Sequence, residues 1–123
     1  MAAPVVHFEI MGKDGLKLQK FYGDLFGWKI QNMAEMGNYG MTETGVRSDS
    51  SGKSGIDGGV GGTQPDAPGY VTIYIQVDDI DAYLKKIASM GGKTIVPKTE
   101  IPNVVTFAQF ADIEGNVVGL VQG

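Results

Sequence analysis

"YVTIYIQVDDIDAYLKKIASMGG", residues 70–92, changes its periodicity halfway through. Up to Val77 the period is two: Val71, Ile73, Ile75 and Val77 alternate with Thr72, Tyr74 and Gln76, which predicts a strand with one apolar and one mixed face. Beyond "DD" the apolar positions Ile80, Tyr83, Leu84 and Ile87 fall at i, i+3, i+4 and i+7, the stripe of an amphipathic helix. Asp78 or Asp79 can cap that helix, because a short carboxylate accepts from the unpaired amides of a first turn. Gly91 stands where a left-handed residue would stop it.

The same sentence is written once before. In "VVHFEIM" (residues 5–11) Val6, Phe8 and Ile10 alternate with His7, Glu9 and Met11. Leu18, Phe21, Tyr22 and Leu25 then take helical spacing, with Asp14 as N-cap and Gly27 as stop. Strand-like segments follow each helix: "WKIQNM", "NYGMTET" and "GIDGGV" in the first half, "KTIVP", "VVTFAQF" and "NVVGLVQ" in the second. The pattern is strand, helix, three strands, twice over, and reads as a structural repeat. One domain over residues 1–123 is expected, with a first module at about 4–62, a Pro/Gly-rich linker at 63–69 and a second module at about 70–123. "RSDSSGKSG" (47–55) reads as a mobile loop, and the glycines of "DGGVGG" as a strand that bends.

Composition removes several functions. The absence of cysteine excludes disulfides, thiolate metal sites and a cysteine nucleophile. A net charge of −4 and no Lys/Arg run argue against nucleic acid or an anionic membrane as partner. No apolar run approaches the roughly 18 to 20 residues of a spanning helix. The start "MAAPVVHFEI" has no basic region and too short an apolar stretch for a signal peptide, so a cytoplasmic location is expected.

The two helices must bury their stripes, and Phe8, Ile10, Ile73, Ile75 and Val77 offer the matching surface. The opposite faces then carry His7, Glu9, Thr72, Tyr74 and Gln76. That set is too polar for a dry core, where each unpaired group costs about 1 to 3 kcal/mol. A concave, partly wet cavity between the halves is expected, with the helices outside.

At this point the residues resemble a family. "VVHFEI", "KFYGDLFGWKI", "YIQVDDIDAYLKKIASMGGK" and "FADIEGNVVGL" together resemble the vicinal oxygen chelate superfamily, which includes glyoxalase I, bleomycin-resistance proteins and extradiol dioxygenases. The likeness is greatest to its glyoxalase-like branch. It implies an α+β fold of two βαβββ modules in a curved mixed sheet around a cavity, a small-molecule ligand and frequent dimerisation. Metal-dependent relatives hold one divalent ion at four positions. By motif these fall on His7, Thr72, Gly119 and approximately Gly58, and only His7 can ligate. A catalytic divalent site generally takes three protein ligands, so neither metal nor other cofactor is expected.

His7, the single histidine, is either a hydrogen-bonded strand residue or a pocket acid/base. Glu9 lies about 6 to 7 Å along the same face, as a catalytic partner of His7 or the partner of a rim lysine. Thr72, Tyr74 and Gln76 are candidate ligand-binding residues through hydrogen bonds and an aromatic wall. Three functions follow in order: a metal-independent binding protein, a metal-independent lyase or isomerase using His7 and Glu9, and a metal-dependent lyase or dioxygenase. Whether the chain is an enzyme is left open by its residues. A homodimer is expected, because half-open sheets leave edges and apolar surface to cover.

Overall fold

The computed structural model describes residues 2–123. The chain is α+β and follows the expected order: β1 (Val5–Gly12), α1 (Gly15–Phe26), β2 (Lys29–Met33), β3 (Tyr39–Glu43), β4 (Gly58–Gly62), then β5 (Tyr70–Val77), α2 (Ile80–Ser89), β6 (Lys93–Ile101), β7 (Val105–Ala111) and β8 (Val117–Gln122). The residues cluster into two compact units, His7–Val71 and the combination of residues 2–6 with Thr72–Gly123. The leading segment joins the second unit partly through Gln76, whose amide donates to the Pro4 carbonyl at 2.9 Å.

In the N-terminal unit β1 runs parallel to β4, with Phe8 to Gly12 opposite Gly58 to Gly62. β4 pairs antiparallel with β3, and β3 with β2. The C-terminal unit repeats this: β5 is parallel to β8, and β7 and β6 follow antiparallel. Pro97 sits in β6, at the outer end of that run, where its missing donor is tolerated. The ladder of β4 with β1 is regular over five residues, and its glycines admit close packing from neighbouring side chains.

Both caps are as predicted. Asp14 accepts from Lys17 N and Asp79 from Ala82 N. α2 ends in a Schellman motif, in which Gly92 N donates to Ile87 O and Gly91 N to Ala88 O. Gly91 takes φ +98°, a conformation that side chains rarely adopt.

α2 buries its predicted stripe. Val77, Ile80, Ala108 and Leu120 form the buried core of this unit, with Ile75, Tyr83, Leu84 and Ile87 packed on it. Ile73, in the middle of β5, is left 39% exposed, contrary to the expected burial. α1 departs further. Phe21 and Leu25 are more than half exposed, and its buried residues are Gly15 and Gln19. The buried face is turned by roughly one residue, about 100° around the axis. Gln19 accounts for the turn: its Nε2 donates to Asn32 Oδ1 at 3.0 Å and to the Asn38 carbonyl at 2.9 Å. Beside it Trp28 stacks on Tyr22, with centroids 5.5 Å apart and planes within 9°, and leans on Phe8. The 47–55 segment is exposed but is drawn together by a Val46–Ser54 bridge and an Arg47–Asp49 ion pair of 2.7 Å.

Candidate functional site

Strand alternation sets His7 and Glu9 on one face of β1. Register then brings Gly59 of β4 beside Glu9, and Met41 of β3 beside Gly59. Two residues from Met41 on the same face, Tyr39 lies across β4. A Cβ built on Gly59 would fall inside the Tyr39 phenol, and one on Gly61 would crowd its ring. The two glycines thus form a floor on which Tyr39 rests flat, and this lets its hydroxyl reach β1.

The hydroxyl meets both sequence-predicted residues. Tyr39 Oη donates to Glu9 Oε2 at 2.9 Å and lies 2.8 Å from His7 Nε2. A phenol has one proton, so with that proton on Glu9 the second bond runs from His7 Nε2–H to the Tyr39 oxygen. Tyr70 donates to the other Glu9 oxygen at 2.7 Å. Glu9 is 7% exposed, and the partners found for it are phenols where sequence suggested a rim lysine. Burial, the largest influence, pushes His7 below its ordinary pKa, and the negative charges of Glu9 and Asp57 oppose it only in part. Histidine is therefore neutral at pH 7, with the lone pair on Nδ1.

In the C-terminal unit Tyr74 stands opposite Gly119, and its ring fills the space a Gly119 side chain would enter. Its oxygen accepts from Gln109 Nε2 at 2.9 Å, and its ring meets Phe107 edge to face. Thr72 is buried on the same face and donates to the Val117 carbonyl at 2.7 Å. Gln76, third of the predicted ligand-binding residues, is exposed at the end of the row.

Sequence reasoning missed Tyr39, Tyr70 and Gln109, which reach their partners across 30, 61 and 35 residues. One signal was present. Gly59 and Gly61 alternate, so both lie on one strand face and leave a trough there. The counterpart of Gly119 is also Gly59, since Gly58 faces the other way, against Phe8.

A divalent ion of the superfamily type does not fit these residues. His7 engages Tyr39 through Nε2, Thr72 spends its hydroxyl on a carbonyl, and Gly119 and Gly59 are each overlain by a tyrosine. Among the described residues no group of three His, Cys, Asp or Glu is placed to hold a metal.

Comparison with known proteins agrees with this architecture. Residues 5–45 match the family model for the bleomycin resistance protein-like N-terminal region. A glyoxylase-like domain-containing protein of Didymella fabae is 32% identical over 112 residues, covering 88% of this chain and 84% of that protein. The anthracycline biosynthesis protein DnrV of Streptomyces peucetius is 28% identical over 117 residues, covering 88% of this chain. This chain spans only 42% of DnrV's length. A methylmalonyl-CoA epimerase variant of Streptomyces coelicolor, solved with 2-nitronate-propionyl-CoA, superposes with a TM-score of 0.68 at 18% identity, over 100% of this chain and 99% of that one. The chain belongs to the vicinal oxygen chelate superfamily, among its glyoxalase-like proteins. No helix among the described residues is long and apolar enough to cross a membrane.

Proposed function

We propose that this protein binds a small organic molecule without the superfamily metal, with His7 and Tyr39 as candidate contacts in the N-terminal unit. One observation carries the reading: the Tyr74 ring occupies the corner at Gly119 where a last metal ligand would stand. In addition, both Glu9 oxygens and the His7 Nε2 are engaged with phenols, so these groups hold rings in place. In this reading Thr72, Tyr74 and Gln76 are candidate ligand contacts of the C-terminal unit. The names of the relatives supply probes: bleomycin, an anthracycline and propionyl-CoA.

The test is thermal unfolding with each probe, in EDTA and again with added zinc. A probe at a hundredfold excess over Kd stabilises the native state by about 2.7 kcal/mol. At least one probe is expected to raise Tm equally in both buffers. A rise that requires zinc, or no rise with any probe, overturns the reading.

A second reading has one observation in its favour. Tyr39 joins His7 and Glu9 into a single hydrogen-bonded chain along which a proton could pass, as a metal-independent isomerase or lyase would need. Epimerisation or elimination of a probe in EDTA, lost in His7→Ala, would establish it. We further propose a cytoplasmic homodimer, supported by the exposed Phe21, Leu25 and Phe26 of α1. Sedimentation giving only monomer at high micromolar concentration refutes the dimer.

A further inference from the structure

His7 and Tyr39 have planes within 15° of each other and centroids 6.4 Å apart. They are also joined rim to rim by the 2.8 Å Nε2–Oη bond. The centroid separation is close to the full sum of that bond, the phenol C–O bond and the two ring radii, its greatest possible value. The rings therefore do not stack on one another. They lie end to end in almost one plane, as a single slab two rings long.

The slab has a supported underside and a bordering groove. Below Tyr39 is the glycine floor of Gly59 and Gly61. Alongside runs a groove of about 410 Å³ lined by Lys29, Gln31, Met41, Glu43 and Asp57, large enough for a drug-sized molecule. Met41 borders Gly59 under the hydroxyl end of Tyr39, and Asp57 acts electrostatically on His7, so the groove adjoins the slab at its middle and at its His7 end. Both rings are half-buried, so part of the slab is exposed. Aromatic faces favour other flat π-systems at offset. The methionine offers a soft wall, and the two groove carboxylates outnumber its one lysine.

We infer that the ligand of this unit is a planar aromatic molecule bearing positive charge, which lies against the His7–Tyr39 slab with its charge toward Glu43 and Asp57. The inference rests on the binding reading above and sharpens it to a chemical class. Glu9 and Tyr70 then act as positioning residues: they hold Tyr39 so that its ring stays in the plane of the imidazole.

The experiment is equilibrium binding of two amines of equal charge, 9-aminoacridine, which is flat, and 1-aminoadamantane, which is globular. The flat amine is expected to bind at least tenfold more tightly. Tyr39→Phe keeps a ring on the glycine floor but releases its tie to His7, and is expected to weaken 9-aminoacridine about three- to tenfold, the range of an aromatic pair. Tyr39→Leu should abolish the preference for the flat amine. Gly62→Ala, where a new Cβ meets only ordinary contacts of 3.4 Å and beyond, should leave both affinities unchanged. Equal binding of the two amines, or a preference that survives both Tyr39 variants, overturns the inference. So does failure of both amines to bind, and the bleomycin, anthracycline and propionyl-CoA panel then decides whether the broader reading stands without it.

Discussion

Replacing Gly119 with alanine tests the central packing claim with a single methyl group. Gly119 has an ordinary negative φ, so alanine meets no backbone strain there. What it meets is Tyr74: the new Cβ would fall among the Cγ, Cδ2 and Cε2 atoms of the ring. That ring is 5% exposed, accepts from Gln109 and meets Phe107 with centroids 6.5 Å apart. Overpacking of this kind costs about 1 to 3 kcal/mol. A displaced Tyr74 also loses a hydrogen bond worth about 1 kcal/mol. With partial relaxation we expect a loss of about 3 kcal/mol, or roughly 12 °C in Tm at about 4 °C per kcal/mol. The assay is urea and thermal unfolding of Gly119→Ala, Tyr74→Ala and the double variant. Tyr74→Ala alone should cost about 3 to 5 kcal/mol through the cavity it leaves. In that background the methyl at position 119 has room, so it should add less than about 0.5 kcal/mol, a coupling of about 2.5 kcal/mol. If Gly119→Ala costs the same with and without the Tyr74 ring, the tyrosine does not fill that corner and the argument against a metal ligand there collapses.

The remaining expectations are simpler. Leu84→Ala should lose about 2 to 3 kcal/mol in urea unfolding, the low end for a leucine because it is only half-buried on the Val77–Ile80–Leu120 core; a neutral effect would refute the packing of α2. Asp79→Ala should cost about 1 kcal/mol through loss of its bond to Ala82 N, and Asp79→Asn should restore most of it. His7 should titrate by NMR below its ordinary value of 6.5. The folded protein then gives up that proton more readily than the unfolded chain, so this contribution to stability is complete above about pH 6.5 and is lost as pH falls toward the lowered folded value. His7→Gln should flatten that slope, and a folded-state pKa at or above 6.5 would contradict it. Zinc or nickel should leave Tm unchanged, whereas metal-dependent stabilisation abolished by His7→Ala would reveal a site assembled in some other way.

What was legible in the chain was what depends on neighbours in sequence. Period two and period 3.6 place β1, β5 and both helices, and the carboxylates of Asp14 and Asp79 and the glycines at 27 and 91 mark helix ends, because each signal is complete within a few residues. His7 and Glu9 were placed on a common face for the same reason. The site's partners were not legible, because they are set by register between distant strands. A one-residue slip moves every side chain to the other face. That is the difference between Gly58, which packs on Phe8, and Gly59, which carries Tyr39. α1 shows the other limit. Its apolar spacing favours a stripe through Phe21 and Leu25, yet Gln19 is the buried residue because Asn32 and the Asn38 carbonyl satisfy its amide. A polar group whose partners come from another strand can outcompete a phenylalanine for the interior, and pattern alone has no access to those partners. The same rule governs the site. His7 and Glu9 are legible along β1, but their hydrogen bonds to Tyr39 and Tyr70 exist only once β3, β4 and Tyr70 are folded against them.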